Sequence, residues 1–451
     1  MQSISLSRGL ILLDVVELLS QLIELRSVND PIRNIKPSID CARYIKDWLI
    51  SNDLPADIIE SQGYYSVYGT IGKGEPIVML LAHYDTVPVV EEEWNHDPFK
   101  LTIIDGKGYG RGTLDDKGNV AAILTALSKI KDRTRDFTLI YAFTGDEEVG
   151  GVNGARLIRD KLFEEGLKPN YVINGDGQGL TIVIRRRCRF VAQLKVKGNK
   201  VRIKGRKIIK NFNVKTSVIE TRHAAYFVPG VDIHPLLEAS HYQRTHDLYV
   251  SSIKGSFVKA NVIPSTIEVE FVKEESEGED VEVDLALTKL IESVLPITRC
   301  PIKTDFFSEY GITATPNYYS YENEEHTLEV DIRAMTIDIK RIENSIKQVI
   351  ENMELKAQLN VRGGAGYLYT PKDSKLVKVA LTVFKEIGLK PKATELPEAS
   401  DSRYFSLKGI NCIDVGPIGS NMHGPNEFVE LWSLKKLVEF YEKIPIALKN
   451  I

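Results

Sequence analysis

A histidine and an aspartate follow directly after an apolar run. Residues 77–89 read IVMLLAHYDTVPV, and the part before His83 has the length and the Val, Leu and Ile content of a fully buried strand. In an open α/β sheet, ligands bind in the crevice outside the carboxyl ends of the strands. An imidazole there can bind a metal ion, and Asp85, two residues later, is suited to hold that imidazole in one orientation.

Acidic residues follow two further apolar segments. Residues 137–143, FTLIYAF, precede Asp146, Glu147 and Glu148, and residues 171–174 precede Asp176. Adjacent carboxylates at the edge of a sheet repel one another and lose hydration, so they need a counter-charge, and a divalent cation is the natural one. One such segment alone would be typical of a turn, but three together predict a metal-binding constellation.

Two more motifs carry candidate ligands. Asp115 and Asp116 are flanked by glycines before the apolar segment 119–130, and an N-cap accounts for only one of them. The glycine spacing is not that of a phosphate loop, and two carboxylates would repel phosphate. His423 lies in a Gly/Pro-rich loop after the predicted strand 410–415, where the other candidates also lie, whereas His96 is typical of a solvated loop histidine.

The elements that must position these residues alternate between strands and helices. Helical periodicity predicts helices at residues 5–25, 38–49, 119–130, 337–353, 374–386 and at the C-terminus, and apolar runs or alternation predict strands at 56–60, 65–71, 77–82, 137–143, 171–174, 326–335, 355–362 and 410–415. From Arg185 the chain becomes basic and β-rich, which indicates a second domain and, from the alternation, a solvated strand face. Residues 274–284 are interpreted as an acidic loop.

The composition excludes several classes of function. The 451 residues are 43% hydrophobic and 27% charged, with a formal net charge of −4, which argues against nucleic acid or an anionic membrane as the main partner. No segment has the length of an apolar membrane span, and Asp14 and Glu17 interrupt the apolar N-terminal run. The four cysteines are scattered, so we expect a reducing compartment, the cytoplasm.

In their order and spacing, these motifs resemble those of the co-catalytic zinc metallopeptidase family that includes aminoacylase, carnosinase, glutamate carboxypeptidase, acetylornithine deacetylase and succinyl-diaminopimelate desuccinylase. The resemblance covers nearly the whole chain and rests on His83-x-Asp85, Asp115-Asp-Lys-Gly, Asp146-Glu-Glu, Asp176, Asp331-Ile-Arg333, Ser400-Asp-Ser-Arg403 and His423-x-x-Asn426-Glu427. It implies an α/β catalytic domain with a mainly parallel central sheet, formed by residues 1–184 and 365–451, and an inserted α+β lid formed by residues 185–364.

The resemblance also implies a role for each residue. Two divalent metal ions would be held by His83, Asp115, Glu148, Asp176 and His423, with Asp115 as the bridge. Zinc is the expected metal, and cobalt or manganese could replace it because these ligand types discriminate poorly between them. Glu147 would be the general base, Asp85 would orient His83, and Asp116 would lie outside the ligand set.

In the lid, the resemblance assigns His223 to the oxyanion in a neighbouring subunit's site, and Arg333 and Asn261 to the substrate. Insertions at residues 199–220 and between Asn261 and Asp331 enlarge this lid relative to the family pattern. An enlarged lid can cover the active site of its own chain, so the sequence does not decide whether a homodimer forms through the lid.

The implied reaction is hydrolysis of the amide bond of a small peptide or an N-acyl amino acid, and the sequence does not separate a peptidase from a deacylase such as a desuccinylase or deacetylase. A catalytically silent binding protein on the same fold is the alternative from another class. A serine or cysteine hydrolase is not favoured, because no nucleophile elbow is present.

Overall fold

The computed structural model describes residues 14–217 and 222–450. The start of the helix expected at residues 5–25 lies outside this range; within it the helix begins at Val15. The chain forms two compact units. Unit 1 comprises the described residues up to Arg185, together with Leu368–Thr394 and the residues from Ser400 onward, and unit 2 comprises Arg186–Tyr367 and Glu395–Ala399.

The described residues contain ten α-helices and twenty-one strands. The helices are α1 Val15–Glu24, α2 Ile39–Ser51, α3 Lys117–Ile130, α4 Ala155–Glu164, α5 Pro235–His246, α6 Leu285–Thr298, α7 Ile339–Asn352, α8 Lys375–Glu386, α9 Arg403–Ser406 and α10 Leu431–Lys449. The strands are β1 Asp57–Ser61, β2 Tyr64–Gly72, β3 Ile77–His83, β4 Thr102–Ile104, β5 Lys107–Tyr109, β6 Thr138–Thr144, β7 Tyr171–Asn174, β8 Ile182–Arg186, β9 Cys188–Lys197, β10 Lys200–Asn213, β11 Tyr249–Gly255, β12 Thr266–Glu274, β13 Glu279–Asp284, β14 Thr313–Glu322, β15 Glu325–Ala334, β16 Gln358–Gly363, β17 Leu368–Tyr369, β18 Ala393–Leu396, β19 Asn411–Asp414, β20 Gly419–Ser420 and β21 Phe428–Glu430. None of the described helices is both long and apolar enough to cross a membrane.

A nine-stranded sheet organises unit 1. Its order is β1-β2-β6-β3-β7-β19-β8-β17, and β18 pairs with β8. The four central strands β6, β3, β7 and β19 are parallel, whereas β1, β2 and β8 pair antiparallel with their neighbours. Every residue of β3 and β6 is buried, as expected of parallel strands covered on both faces. The predicted α/β class is therefore confirmed, with a sheet that is mixed at its edges.

The parallel strands explain why distant motifs lie close together. His83 pairs with Thr144, and Leu81 pairs with Asn174, so β3, β6 and β7 end at nearly the same level. Their carboxyl ends therefore place the segments that follow them, with Asp85, Asp146 and Asp176, along one edge of the sheet.

Unit 2 contains two four-stranded antiparallel sheets and the helices α5, α6 and α7. The sheets have the orders β14-β15-β9-β16 and β11-β12-β10-β13. The basic strand β10 lies between two acidic strands, and Lys207 reaches Glu270 on β12 at 2.8 Å while Lys200 reaches Glu282 on β13 at 3.1 Å. These lysines and both glutamates are partly exposed, which agrees with a solvated strand face for β10. At the start of the basic stretch the expectation is wrong, because Arg186 and Arg187 are buried.

The prediction of an acidic loop at residues 274–284 is wrong, because most of this stretch forms β-strands. β12 runs to Glu274 and β13 begins at Glu279, which leaves a turn at residues 275–278. Val281 and Val283 are buried whereas Asp280 and Glu282 are exposed, and β13 pairs antiparallel with β10 over residues 279–284. The charge run masked an alternation of period two, and its acidic residues face the basic strand.

A buried histidine caps α5 in unit 2. The Nδ1 atom of His234 accepts a hydrogen bond from the backbone N–H of Leu236 at 3.2 Å, and Nε2 lies 2.9 Å from Oδ1 of Asn317. The ring is 1% exposed. This pattern requires a neutral ring with its proton on Nε2. Burial lowers the pKa of His234 to about 4, against an ordinary value of 6.5.

We therefore expect His234 to destabilise the fold in acid. Because the folded pKa is depressed, the unfolded chain binds the proton first, so stability is lost as the pH falls from about 6.5 towards 4, by an amount on the order of 3 kcal/mol. Thermal unfolding of wild type and His234→Asn at pH 7.5 and 5 measures the part of this loss that falls above pH 5, about 2 kcal/mol. Asparagine also caps a helix but does not titrate. An equal pH dependence in both proteins would contradict the assignment.

Candidate metal centre

His83 and Asp85 are fixed by a dense set of hydrogen bonds at the end of β3. The Nδ1 atom of His83 lies 3.1 Å from the backbone oxygen of Asp85 and 3.4 Å from its Oδ1. The Asp85 carboxylate also accepts hydrogen bonds from the backbone N–H groups of Glu147 and Glu148 and from Nδ2 of Asn29. Asp85 thus joins the His83 ring to the segment that carries both glutamates.

The Asp115 carboxylate lies between two histidines. Its Oδ1 is 2.9 Å from Nε2 of His83, and its Oδ2 is 2.8 Å from Nε2 of His423, although the two histidines are 340 residues apart in sequence. Each carboxylate oxygen therefore faces one imidazole. This is the arrangement expected of a carboxylate that bridges two cations, each with one histidine ligand.

Glu148 completes one side of this arrangement. Its Oε1 lies 3.2 Å from Nε2 of His423, and it is a buried oxygen that receives no hydrogen bond. Within residues 14–217 and 222–450, one group of three potential metal ligands has its atoms all within 4.8 Å of one another, and it consists of Asp115, Glu148 and His423. Asp176 is not part of this group, but its charge acts on Glu147.

The charges of these groups fit a cation. Burial alone would lower the pKa of both His83 and His423. The carboxylates of Asp115 and Asp85 nevertheless raise the pKa of His83 well above the usual range, and those of Glu148 and Asp115 do the same for His423. Burial alone would raise the pKa of Asp115, but hydrogen bonds from the two histidines lower it. The nitrogens and oxygens that would share protons here are the atoms a divalent metal ion would ligate, so metal binding would displace those protons.

Further buried carboxylates surround this set. Burial raises the pKa values of Asp116 and Asp146 to about 8 and that of Asp401 to about 6. Oδ2 of Asp116 accepts a hydrogen bond from the backbone N–H of His83 and Oδ1 accepts one from Nδ2 of Asn119. Such a concentration of acid groups in a buried site is stabilised by positive charge.

Glu147 lies beside the proposed ligands with an arginine as its neighbour. Burial, with the charges of Asp401 and Asp176 adding to it, raises the pKa of Glu147 well above its ordinary value. The Nη1 atom of Arg403 lies 3.8 Å from Oε1 of Glu147, and Nη2 donates to the backbone oxygen of Gly150 at 2.7 Å. Arg403 thus stabilises both the charge of Glu147 and the turn that follows it. The sequence motif contained Arg403 but did not indicate this contact.

An ion pair between Arg111 and Glu427, which sequence reasoning did not identify, holds the backbone of the loop that carries Asp115. The buried Glu427 carboxylate contacts Nη1 of Arg111 at 2.5 Å and accepts hydrogen bonds from the backbone N–H groups of Gly112, Leu114 and Asp115 at 2.8–3.2 Å. Arg111 also donates to the backbone oxygen of Gly424, next to His423. The pair therefore fixes the loops of both proposed ligands.

Replacing Glu427 by Gln is expected to lower the free energy of unfolding by about 3–5 kcal/mol, because Arg111 keeps its buried charge without a counter-charge. Displacement of the Asp115 loop should also weaken metal binding by about 10–100-fold. Urea unfolding and metal titration measure the two effects. Glu430→Gln is the matched control, since Glu430 is 3.8 Å from Lys107 and both are partly exposed. If Glu427→Gln behaved like Glu430→Gln, the supporting role would be wrong.

In unit 2 the structure brings His223 and Asn261 together. An antiparallel bridge joins His223 to Val262, and Nε2 of His223 lies 3.2 Å from Nδ2 of Asn261. The backbone N–H of Ala224 also donates to the oxygen of Asn261. Two residues that the sequence separates by 38 positions therefore form one local structure.

Arg333 has a different environment. It is 3% exposed, and its Nε donates to Oδ1 of Asp331 at 2.7 Å. The other Asp331 oxygen accepts a hydrogen bond from Nε of Arg189 at 2.7 Å. The role of Arg333 in substrate binding stays a prediction. A substrate carboxylate would share the Arg333 guanidinium with Asp331.

The model of peptidase family M20/M25/M40 matches residues 79–446, which is most of the chain. The chain belongs to this family. The resemblance inferred from the motifs is thereby confirmed, and the protein is a metal-dependent hydrolase of amide bonds.

Relatives and solved structures of the M20 family agree with this. Succinyl-diaminopimelate desuccinylases from Stenotrophomonas maltophilia (strain R551-3) and Xanthomonas euvesicatoria are each 24% identical, over 84% of this chain and 86% and 85% of theirs. Aminoacylhistidine dipeptidase from Vibrio alginolyticus superimposes with a TM-score of 0.68 at 17% identity, covering 96% of both chains. The M20 metallo-carboxypeptidase Sso-CP2 from Sulfolobus solfataricus gives 0.63 at 16% identity, covering 97% of this chain and all of its own. These structures share the fold.

Proposed function

We propose that this M20 hydrolase uses two divalent metal ions to cleave the amide bond of a small peptide or an N-acyl amino acid. The observation that carries the proposal is the Asp115 carboxylate, with one oxygen within 3 Å of His83 and the other within 3 Å of His423. In this proposal Asp115, His83 and Asp176 would hold one metal ion, and Asp115, Glu148 and His423 would hold the other. Zinc is the expected metal for these oxygen and nitrogen ligands.

The bound metals would polarise the scissile carbonyl and lower the pKa of a water molecule. Glu147 accepts the proton of the attacking water and later delivers it to the leaving nitrogen, so the proton that leaves the nucleophile ends on the amine product. Asp85 holds His83 and the backbone of Glu147 in place. The charge of Arg403 lowers the pKa of Glu147 against the effect of burial and so favours the carboxylate form, which can accept that proton.

Unit 2 supplies the remaining groups in this proposal, as the inserted lid of the family. His223 donates a hydrogen bond to the oxyanion, and Asn261 and Arg333 bind the substrate. A guanidinium at this place matches a substrate with a free carboxylate, since arginine and carboxylate form paired hydrogen bonds.

Two classes of amide substrate fit the proposal, small peptides and N-acyl amino acids. The dipeptidase and carboxypeptidase among the structural relatives support a peptide, and the desuccinylases among the sequence relatives support deacylation of an N-acyl amino acid. A panel of dipeptides, N-acetyl amino acids and N-succinyl amino acids, assayed with the zinc-loaded protein, separates the two. Turnover of one class assigns it. No turnover of any amide by metal-loaded protein would contradict the proposal and favour a binding protein on this fold.

We propose a homodimer formed through the lid. We also propose a cytoplasmic location, which the wide scatter of the four cysteines along the sequence supports. Co-expression of Glu147→Gln with His223→Ala tests whether the lid acts between subunits. Each variant alone is expected to be inactive. Recovery of activity in the mixture would support His223 acting across a dimer, whereas no recovery together with a monomeric mass would overturn the dimer.

A further inference from the structure

The carboxylate of Glu398 lies against the His223 ring in unit 2. Oε1 of Glu398 is 3.5 Å from Nδ1 of His223, and the two side chains are 19% and 22% exposed. The hydroxyl of Tyr226 donates to the other oxygen, Oε2, at 3.1 Å. The charge of Glu398 is therefore partly shielded from water, and the carboxylate is held towards the imidazole by a second side chain.

The opposite side of the ring is also occupied. Nε2 of His223 faces the amide of Asn261, and the turn that carries the ring is fixed by Arg187, whose Nη2 donates to the backbone oxygen of Ala225 at 3.0 Å. Nδ1 also accepts a hydrogen bond from the backbone N–H of Ala225 at 3.3 Å, so a backbone donor and a carboxylate beside Nδ1, with an amide beside Nε2, restrict rotation of the ring. The hydrogen bond accepted by Nδ1 places the proton of the neutral ring on Nε2, and a nearby carboxylate favours a positively charged ring.

We propose that Glu398 is a positioning residue for His223, with Tyr226 holding its carboxylate in place. Glu398 and the backbone N–H of Ala225 together hold the Nδ1 side of the ring, so Nε2 is the nitrogen that would donate to the reacting oxygen. Negative charge at Nδ1 also stabilises the protonated ring, the form that donates most strongly to an oxyanion. The inference rests on the proposed function, because it acts through the role given there to His223.

A double-mutant cycle tests the proposal. Glu398→Met removes the charge and the acceptor at similar length, His223→Ala removes the ring, and the third protein carries both changes. We expect His223→Ala to lower kcat by about 10²–10³-fold and Glu398→Met by about 10-fold or more, with KM within about threefold. The double variant should match His223→Ala alone, because Glu398 then has no ring to position.

Further variants keep the test decisive if Glu398→Met folds poorly. Glu398→Gln keeps the shape and one acceptor, so it should show a smaller loss of kcat than Glu398→Met. Glu277→Met, in the exposed turn between β12 and β13, is the matched control and should leave kcat unchanged. Thermal unfolding and metal content, measured on every variant, should remain as in wild type.

The outcomes distinguish a failure of the inference about Glu398 from a failure of the role proposed for His223. If His223→Ala loses activity but its effect multiplies with that of Glu398→Met, Glu398 does not act through His223 and the inference is overturned. Wild-type kcat in Glu398→Met would overturn it as well. If His223→Ala itself keeps full activity, the role of His223 in the proposed function is wrong, and the inference falls with it.

Discussion

Replacing Glu147 by Gln is expected to lower kcat by about 10²–10⁴-fold, the range that general acid–base catalysis supplies. Glutamine has nearly the same shape as glutamate but cannot accept the proton of the attacking water. Because Glu147 is not among the proposed ligands, both metal ions should remain bound. Steady-state kinetics and elemental analysis of the same preparation measure the two quantities.

The control for this prediction is Glu164→Gln. Glu164 is an exposed residue at the end of α4, and its replacement should leave kcat unchanged. Loss of metal together with activity in Glu147→Gln would show that Glu147 holds the site rather than moves the proton. Retention of more than a tenth of the activity would contradict its role as the base.

Replacing Asp115 by Ala is expected to weaken binding of both metal ions together and to lower kcat/KM by at least about 10³-fold. The reason is geometric, since one carboxylate faces both His83 and His423 and its removal breaks both proposed sites. Isothermal titration with zinc and an activity assay with excess zinc measure the effect.

Asp132→Ala, at an exposed position after α3, is the matched control and should bind metal as wild type does. Loss of one metal ion with normal affinity for the other would contradict the bridging role of Asp115. Asp115→Ala is also expected to remain folded, because this substitution removes a buried charge from a site that is crowded with carboxylates.

The sequence predicted the parts of the fold that have local patterns. The apolar runs that became β3, β6 and β7 were each recognised to within one residue at either end, because a strand buried on both faces has few polar positions. The candidate ligands that follow these strands were recognised for the same reason, since a polar residue directly after an apolar run stands out.

Contacts between distant segments were not predictable from one sequence. Arg111 and Glu427 are 316 positions apart, and nothing in either segment shows that they meet. Asn29 reaches Asp85 across 56 positions after a short parallel bridge between Val28 and Thr86. Glu398 lies in a polar segment whose contact with His223 depends on the fold of unit 2. The charge run at β13 was misinterpreted because its valines were outnumbered by acidic residues.

The metal content of the purified protein after loading with zinc tests the central claim most directly. Elemental analysis, after removal of loosely bound ions, should give two zinc ions per chain for wild type. One zinc ion or none per chain, in protein that is folded and fully loaded, would contradict a centre in which Asp115 bridges two metal ions.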